Sequence, residues 1–68
     1  MAFTKDQNYF KNKISNIKKA ITGNKKELQD ALSRGDQRSI DAHESYLDSL
    51  NKNLTKAQQE YTFFLMYN

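Results

Sequence analysis

The side chains best suited to chemistry in this 68-residue chain are one histidine and a short row of carboxylates. Asp41, Glu44 and Asp48 recur every three or four residues, which places them on one face of a predicted helix, with His43 among them in sequence. Divalent cations favour a loop whose carboxylates converge, so an exposed helical strip is a poor metal site. A catalytic histidine needs an orienting partner and a pocket. We therefore expect a solvated acidic strip and a packing role for His43.

Other reactive groups and cofactor motifs are missing from the sequence. The chain has no cysteine, and therefore no thiolate nucleophile, disulfide or Cys/His zinc site. It also has no glycine-rich phosphate loop. Arg34, Gly35 and Asp36 spell a cell-adhesion tripeptide, but a turn between helices accounts for each of them. We expect a non-enzymatic protein that uses no cofactor and no metal ion.

Lysines form a second candidate site in the first half of the chain. Residues 1–35 carry eight basic and three acidic groups, whereas residues 36–68 carry three basic and five acidic groups. Five lysines at helical spacing form a ridge that can contact phosphates, namely Lys11, Lys18, Lys19, Lys25 and Lys26. The ridge has no arginine and no aromatic side chain for base stacking. A solvated face, nucleic-acid contact and pairing with acidic partner groups therefore stay open as alternatives.

Hydrophobic periodicity predicts the elements that position these residues. Apolar residues three and four apart form one stripe from Phe3 to Ala31 and a second stripe from Ile40 to Phe64. A stripe of this kind must be covered by another helix. The sequence therefore predicts an all-α, coiled-coil-like antiparallel hairpin of two helices in a single domain, residues 1–68.

The two glycines indicate where the chain turns. At Gly35 the stripe loses its phase, and this residue can take the left-handed cap position while Asp36 caps the next helix. At Gly23 the phase continues, which favours an unbroken helix over the alternative of a short middle helix capped at Asn24. A capping-box pattern starts at Thr4. We expect helices over about 4–34 and 36–66, with the turn at about 34–37.

Folding the chain about residues 35 and 36 pairs positions whose numbers add up to about 71. On this rule Phe10 faces Tyr61 and Leu28 faces His43. The flanking charges also match in sign, with Lys13 opposite Glu60 and Lys25 opposite Glu44. Asn24 falls within the apolar stripe, where a single polar residue sets the register of two helices.

A hairpin of this size needs further support, because its core rarely supplies more than about 3–5 kcal/mol. Beside the predicted seam lies a face of small and polar residues with two tyrosines, made up of Tyr9, Asn16, Ala20 and Gly23 on the first helix and Ala42, Tyr46, Ser49 and Asn53 on the second. Small residues allow helices to approach closely. We interpret this face as an oligomer interface, in either a dimer that forms a four-helix bundle or a larger assembly. The alternative is that it is a mildly polar face exposed to solvent.

The last turns of the second helix are apolar nearly all round. A single apolar stripe includes only some of residues 61–67. Phe63, Met66 and Tyr67 lie outside it, at the open end of the hairpin, near Phe3 and Tyr9. Monomeric proteins seldom expose several large apolar groups together. The pattern predicts a partner-docking patch, and the alternatives are a local mini-core that pins the chain ends and an anchor on a membrane surface.

These features predict a protein–protein interaction module, a small basic helical hairpin that self-associates and docks on a partner. Heavy use of lysine and asparagine in a short chain is a feature of AT-rich genomes such as those of phages and other mobile elements. Candidate roles there are a virion component and an inhibitor of a host factor.

The alternative function is a nucleic-acid-binding regulator that uses the lysine ridge. In architecture alone the expected hairpin resembles the plasmid-copy-control RNA-binding hairpin that dimerises into a four-helix bundle, although the two share no residue motif. The sequence has no signal-peptide pattern and no apolar stretch long enough for a membrane span. We expect a cytoplasmic or virion location.

Overall fold

The computed structural model describes residues 6–67, which form two helices joined by a tight turn. Helix α1 spans Gln7–Arg34 and helix α2 spans Gln37–Tyr67. The two helices pack against each other along the molecule, which measures 49 × 21 × 16 Å. The predicted all-α hairpin is confirmed, and both stripes lie in the seam between the helices.

Helix α1 begins later than the capping-box pattern predicted. Its N-cap is Asp6, whose Oδ1 accepts a hydrogen bond of 2.9 Å from the backbone N–H of Tyr9. An aspartate is among the best N-caps, and its charge also suits the positive end of the helix dipole. The cap therefore lies two residues after Thr4, and Thr4 itself is outside the described residues.

The turn has the predicted construction. Gly35 adopts the left-handed conformation, with φ of 68°, and its N–H donates to the carbonyl of Leu32 at 3.2 Å. The N–H of Asp36 donates to the carbonyl of Ala31 at 3.1 Å, which completes a Schellman motif. Helix α2 begins and ends one residue later than expected.

Asp36 caps α2 through Ser39. The hydroxyl of Ser39 donates to Oδ2 of Asp36 at 2.9 Å, and its backbone N–H donates to Oδ1 at 3.3 Å. The hydroxyl, and after it the N–H, lowers the pKa of the Asp36 carboxyl because both donors stabilise its ionised form. These contacts confirm Asp36 as the N-cap of α2.

Helix α1 runs through Gly23 without a break, so the predicted continuity is confirmed and the alternative of a short middle helix is wrong. A glycine costs about 1 kcal/mol within a helix relative to alanine. Because the apolar stripe keeps its phase on both sides of Gly23, packing in the seam maintains the helix through this position.

Only a thin core separates the two helices. Its buried apolar side chains are Phe10, Ile21, Ala31, Ile40, Leu50 and Ala57, and the other stripe residues within 6–67 are half-buried. A pair of helices has no third layer to cover the outer side of each stripe. Ala31 is fully buried because the helices meet closely beside the turn.

The contacts at the open end of the hairpin follow the pairing rule, and nearer the turn one expected pair is not seen among the described residues. Phe10 stacks on Tyr61 with ring centroids 5.7 Å apart, and Lys13 Nζ lies 3.3 Å from Glu60 Oε1. The expected ion pair between Lys25 and Glu44 does not form within the part of the chain that the structure describes.

Candidate interaction surfaces

A polar clasp joins the helices near the turn. Asn24 is 5% exposed, and its Nδ2 donates to the backbone carbonyl of His43 at 2.8 Å while its Oδ1 lies 2.8 Å from the ring Nδ1 of His43. Because a carbonyl oxygen can only accept, the first bond sets the orientation of the amide, and the Asn24 oxygen then accepts from Nδ1–H of His43. The register-setting role predicted for Asn24 therefore has a specific partner, which the numbering rule had assigned to Leu28.

The second ring nitrogen of His43 points to a carboxylate. Nε2 lies 3.7 Å from Oε2 of Glu27, whose side chain is largely exposed. The Glu27 carboxylate, the His43 ring and the Asn24 amide therefore lie in a row. Within residues 6–67 no serine, threonine or tyrosine hydroxyl hydrogen-bonds to the ring, so the row has no hydroxyl nucleophile. The contacts of His43 serve to hold α1 against α2.

The acidic strip of α2 is engaged locally. Asp41 accepts a hydrogen bond of 2.8 Å from Gln37, and Asp48 pairs with Lys52 at 3.2 Å. Each partner lies four residues away on the same helix, so these contacts turn the carboxylates along the surface of α2. Across residues 6–67 no three His, Asp or Glu side chains converge as a metal-binding group.

An inner aromatic cluster closes the open end of the hairpin. Phe10 is buried there, with ring centroids 5.1 Å from Tyr9 in an edge-on contact and 5.1 Å from Phe64, in addition to the stacked Tyr61. The Tyr61 hydroxyl accepts a hydrogen bond of 3.1 Å from Gln7. Tyr9, which the sequence assigned to the docking patch, is half-buried in this inner cluster.

Four large apolar side chains remain outside that cluster. Phe63, Leu65, Met66 and Tyr67 are 64%, 54%, 70% and 68% exposed, and we call them the outer patch. The rings of Phe63 and Tyr67 contact each other with centroids 4.4 Å apart. The sequence predicts Phe63, Met66 and Tyr67 as members of the docking patch. Leu65 is an addition, and Phe3 lies outside the described residues.

The small-residue face beside the seam is open to solvent in the single chain. Gly23, Ala42 and Ser49 are exposed, Ala20 is half-buried, and Tyr46 projects with 54% of its surface exposed. A Cβ added to Gly23 would meet no atom within 4 Å. The face is therefore sterically free to receive a neighbouring helix.

The lysine ridge divides into two parts. Lys11, Lys18 and Lys19 line a groove on the side of α1, together with Ile14, Ser15, Thr22 and Tyr61. We call this the lysine groove. Lys25 and Lys26 are exposed farther along α1, toward the turn, and do not line it. Sequence periodicity had placed all five lysines on one ridge and could not show the groove.

Comparison with known protein families, curated proteins and solved structures gives no match to this chain. Within residues 6–67, neither helix has a segment that is both long and apolar enough to cross a bilayer.

Proposed function

We propose that this protein is a non-enzymatic interaction module that docks on a partner protein through the outer patch. The observation that supports this function is the exposure of four large apolar side chains on adjoining turns at the end of α2. Solvent-exposed apolar groups of this size are seldom gathered on a monomer unless another molecule covers them. The partner is a protein surface with an apolar pocket.

The outer patch contributes little to packing between the two helices. Phe10 and Phe64 already fill the space between the helices at the open end, with Tyr9 and Tyr61 packed around them. Full burial of one large apolar side chain contributes about 1.5–3 kcal/mol of free energy. The side chains of the outer patch are mostly exposed in the single chain, so docking on a partner would supply the burial that the hairpin does not.

Self-association through the small-residue face is the second part of this proposal. Tyr46 projects beside Ala42 and Ser49, and the opposite helix presents the open surface over Gly23. Two copies related by a two-fold axis along the hairpin would place Tyr46 of each copy against α1 of the other and form a four-helix bundle. Light scattering over a dilution series tests this, and a mass that stays at one chain at every concentration contradicts it.

A docking module of this kind suits a virion component or an inhibitor of a host factor, the two roles proposed from the composition. Both require a rigid support that presents an apolar end. The genes next to this one would separate them, since a capsid or tail cluster favours the first role and an early-gene cluster favours the second.

Replacement of Phe63 and Met66 by serine tests the docking proposal. We expect the double variant to keep its helical content, because both side chains are largely exposed, and to lose a partner that the wild type retains from a lysate of the native host. Leu32→Ser is the matched control, since Leu32 is 55% exposed at the other end of the hairpin. Proteins identified by mass spectrometry that are retained equally by all three chains would contradict the proposal.

Nucleic-acid binding by the lysine ridge is the second candidate function. It is supported by the charge of α1, which carries seven basic and two acidic side chains between Gln7 and Arg34. Such binding would weaken steeply with salt and would depend on lysines inside and outside the lysine groove alike.

A further inference from the structure

The lysine groove has an apolar surface and a positively charged surface side by side. Its floor contains Ile14 and the ring of Tyr61, both half-buried, and three lysines stand around it. No aspartate or glutamate lines it. The long aliphatic parts of lysine side chains extend such an apolar surface while their ammonium groups stay in water. The groove therefore presents an apolar strip with a positively charged rim.

The ammonium groups of this rim have no acidic partner. Among residues 6–67, no carboxylate lies within 4.0 Å of the Nζ atoms of Lys11, Lys18 or Lys19. Lys13, one position around the helix from the seam on the other side, does pair with Glu60. The contrast leaves the positive charge of the lysine groove unneutralised by the hairpin itself.

The apolar floor distinguishes between the classes of anionic ligand. Phosphates of a nucleic acid would contact the lysine ammonium groups and gain nothing from Ile14. Tyr61 is the one aromatic residue that lines the groove, and one face of its ring is stacked on Phe10, so at most one base could stack there. A ligand that brings an apolar stripe flanked by carboxylates would satisfy both parts of the groove.

We propose that the lysine groove binds an acidic amphipathic helix of a partner protein. The groove runs from Lys11 to Thr22, about 17 Å along α1 at ~1.5 Å per residue, which matches about three helical turns. Apolar side chains of the bound helix lie on Ile14, and its glutamates or aspartates pair with Lys11, Lys18 and Lys19. Charge complementarity selects this occupant, since the groove has three cations and no anion.

This site is separate from the outer patch and does not depend on the function proposed above. The lysine groove is lined by α1 with one residue of α2, whereas the outer patch consists of the last turns of α2. The variants used below leave the outer patch intact, and Phe63→Ser with Met66→Ser leaves the lysine groove intact. Failure of one proposal is therefore distinguishable from failure of the other.

The test measures binding of a fluorescein-labelled synthetic peptide by anisotropy. The peptide is an amphipathic helix of about four turns with a leucine stripe flanked by glutamates, long enough to cover the groove. A second peptide carries glutamine in place of every glutamate, and a third carries serine in place of every leucine. Labelled duplex DNA of about 15 base pairs and single-stranded RNA of about 15 nucleotides, both longer than the groove, serve as nucleic-acid probes.

Two variants with the same change of net charge localise the binding. Lys18→Gln with Lys19→Gln removes charge from the lysine groove, and Lys25→Gln with Lys26→Gln removes it from α1 outside the groove. All four lysines are exposed, so both variants are expected to fold, and circular dichroism checks this. We expect the first variant to bind the acidic peptide about tenfold more weakly and the second within about twofold of wild type.

Each outcome decides for or against the proposal. Loss of binding with the glutamine peptide and with the serine peptide, together with the selective effect of the groove variant, supports it. Absence of binding by the acidic peptide at ~100 μM, or equal loss in both lysine variants, overturns it. Stronger binding to DNA or RNA that both variants weaken equally assigns the lysines to nucleic acid instead.

Discussion

The turn end and the open end of the hairpin are stabilised by different means. At the turn, short polar contacts hold the chain: the Schellman motif of Gly35, the Asp36 cap and the clasp between Asn24 and His43. At the open end, aromatic rings around Phe10 take their place. Polar contacts are directional and involve few atoms, whereas aromatic packing is extensive and less specific.

The difference between the two ends indicates where binding capacity lies. At the turn end most of the described polar side chains have partners within the hairpin, and Leu32 is an exposed large apolar residue that stands apart from the others. At the open end the inner aromatic cluster is complete, and the outer patch is apolar surface in excess of what the hairpin uses. The contacts at the turn end fix where the chain reverses direction, and the open end is where we propose docking.

The largest effect is expected from Phe10→Ala at the open end. Phe10 is 6% exposed and contacts three other rings, so its removal leaves a cavity that costs about 3–5 kcal/mol of the free energy of unfolding. Because this loss is as large as the net stability expected of a hairpin of this size, circular dichroism should show that the variant has lost most of its helical signal before urea is added. Phe63→Ala, in the outer patch, is the control and is expected to stay within about 0.5 kcal/mol of wild type. If Phe10→Ala and Phe63→Ala lower the stability equally, the inner cluster and the outer patch contribute equally to the fold, which contradicts the prediction.

The next effect concerns the clasp at the turn end. Asn24→Ala leaves the carbonyl and the ring Nδ1 of His43 without their partner in the seam, which costs about 1–3 kcal/mol of the free energy of unfolding. Asn16→Ala is the matched control, because Asn16 is exposed on the same helix. Urea unfolding followed by circular dichroism measures the loss. If both alanine variants are as stable as wild type, the clasp contributes nothing to the hairpin.

The two glycines are expected to respond to alanine with opposite signs. Gly35→Ala places a side chain at φ of 68°, which costs about 1–2 kcal/mol even though the space around it is open. Gly23→Ala adds a methyl group to an exposed helical position with no atom within 4 Å, which stabilises α1 by about 1 kcal/mol. At concentrations where the chain is monomeric, the thermal unfolding midpoints of the two variants should shift in opposite directions, and an unchanged or raised midpoint for Gly35→Ala would contradict the assigned turn.

The smallest effect is a dependence of the turn on pH. Because the pKa of the Asp36 carboxyl is lower in the folded chain than its ordinary value of 3.8, its capping contribution is present above that value. The contribution is lost as the pH falls through the folded pKa. Ser39→Ala removes the hydroxyl donor that lowers this pKa most. We expect the variant's thermal midpoint to fall less than that of wild type between pH 5 and pH 2, as measured by circular dichroism.

Local patterns were sufficient to predict the helices and their turn. The three-and-four spacing of apolar residues sets which side of each helix is covered, and the loss of phase at Gly35 marks the turn, because both depend only on neighbours in sequence. The same reasoning identified Phe63, Met66 and Tyr67 as surplus to one stripe. It placed the N-cap of α1 at Thr4 because a local cap pattern does not distinguish between two nearby acceptors.

Periodicity reports the rotation of a residue about its helix but not its depth or its partner across the seam. For this reason the meeting of Asn24 with His43, the half-burial of Tyr9 in the inner cluster and the exposure of Leu65 emerged only when the two helices were packed together. The division of the lysines has the same origin. Lys18 and Lys25 occupy equivalent positions one heptad apart, but only Lys18 lines the groove, which Tyr61 from α2 also lines.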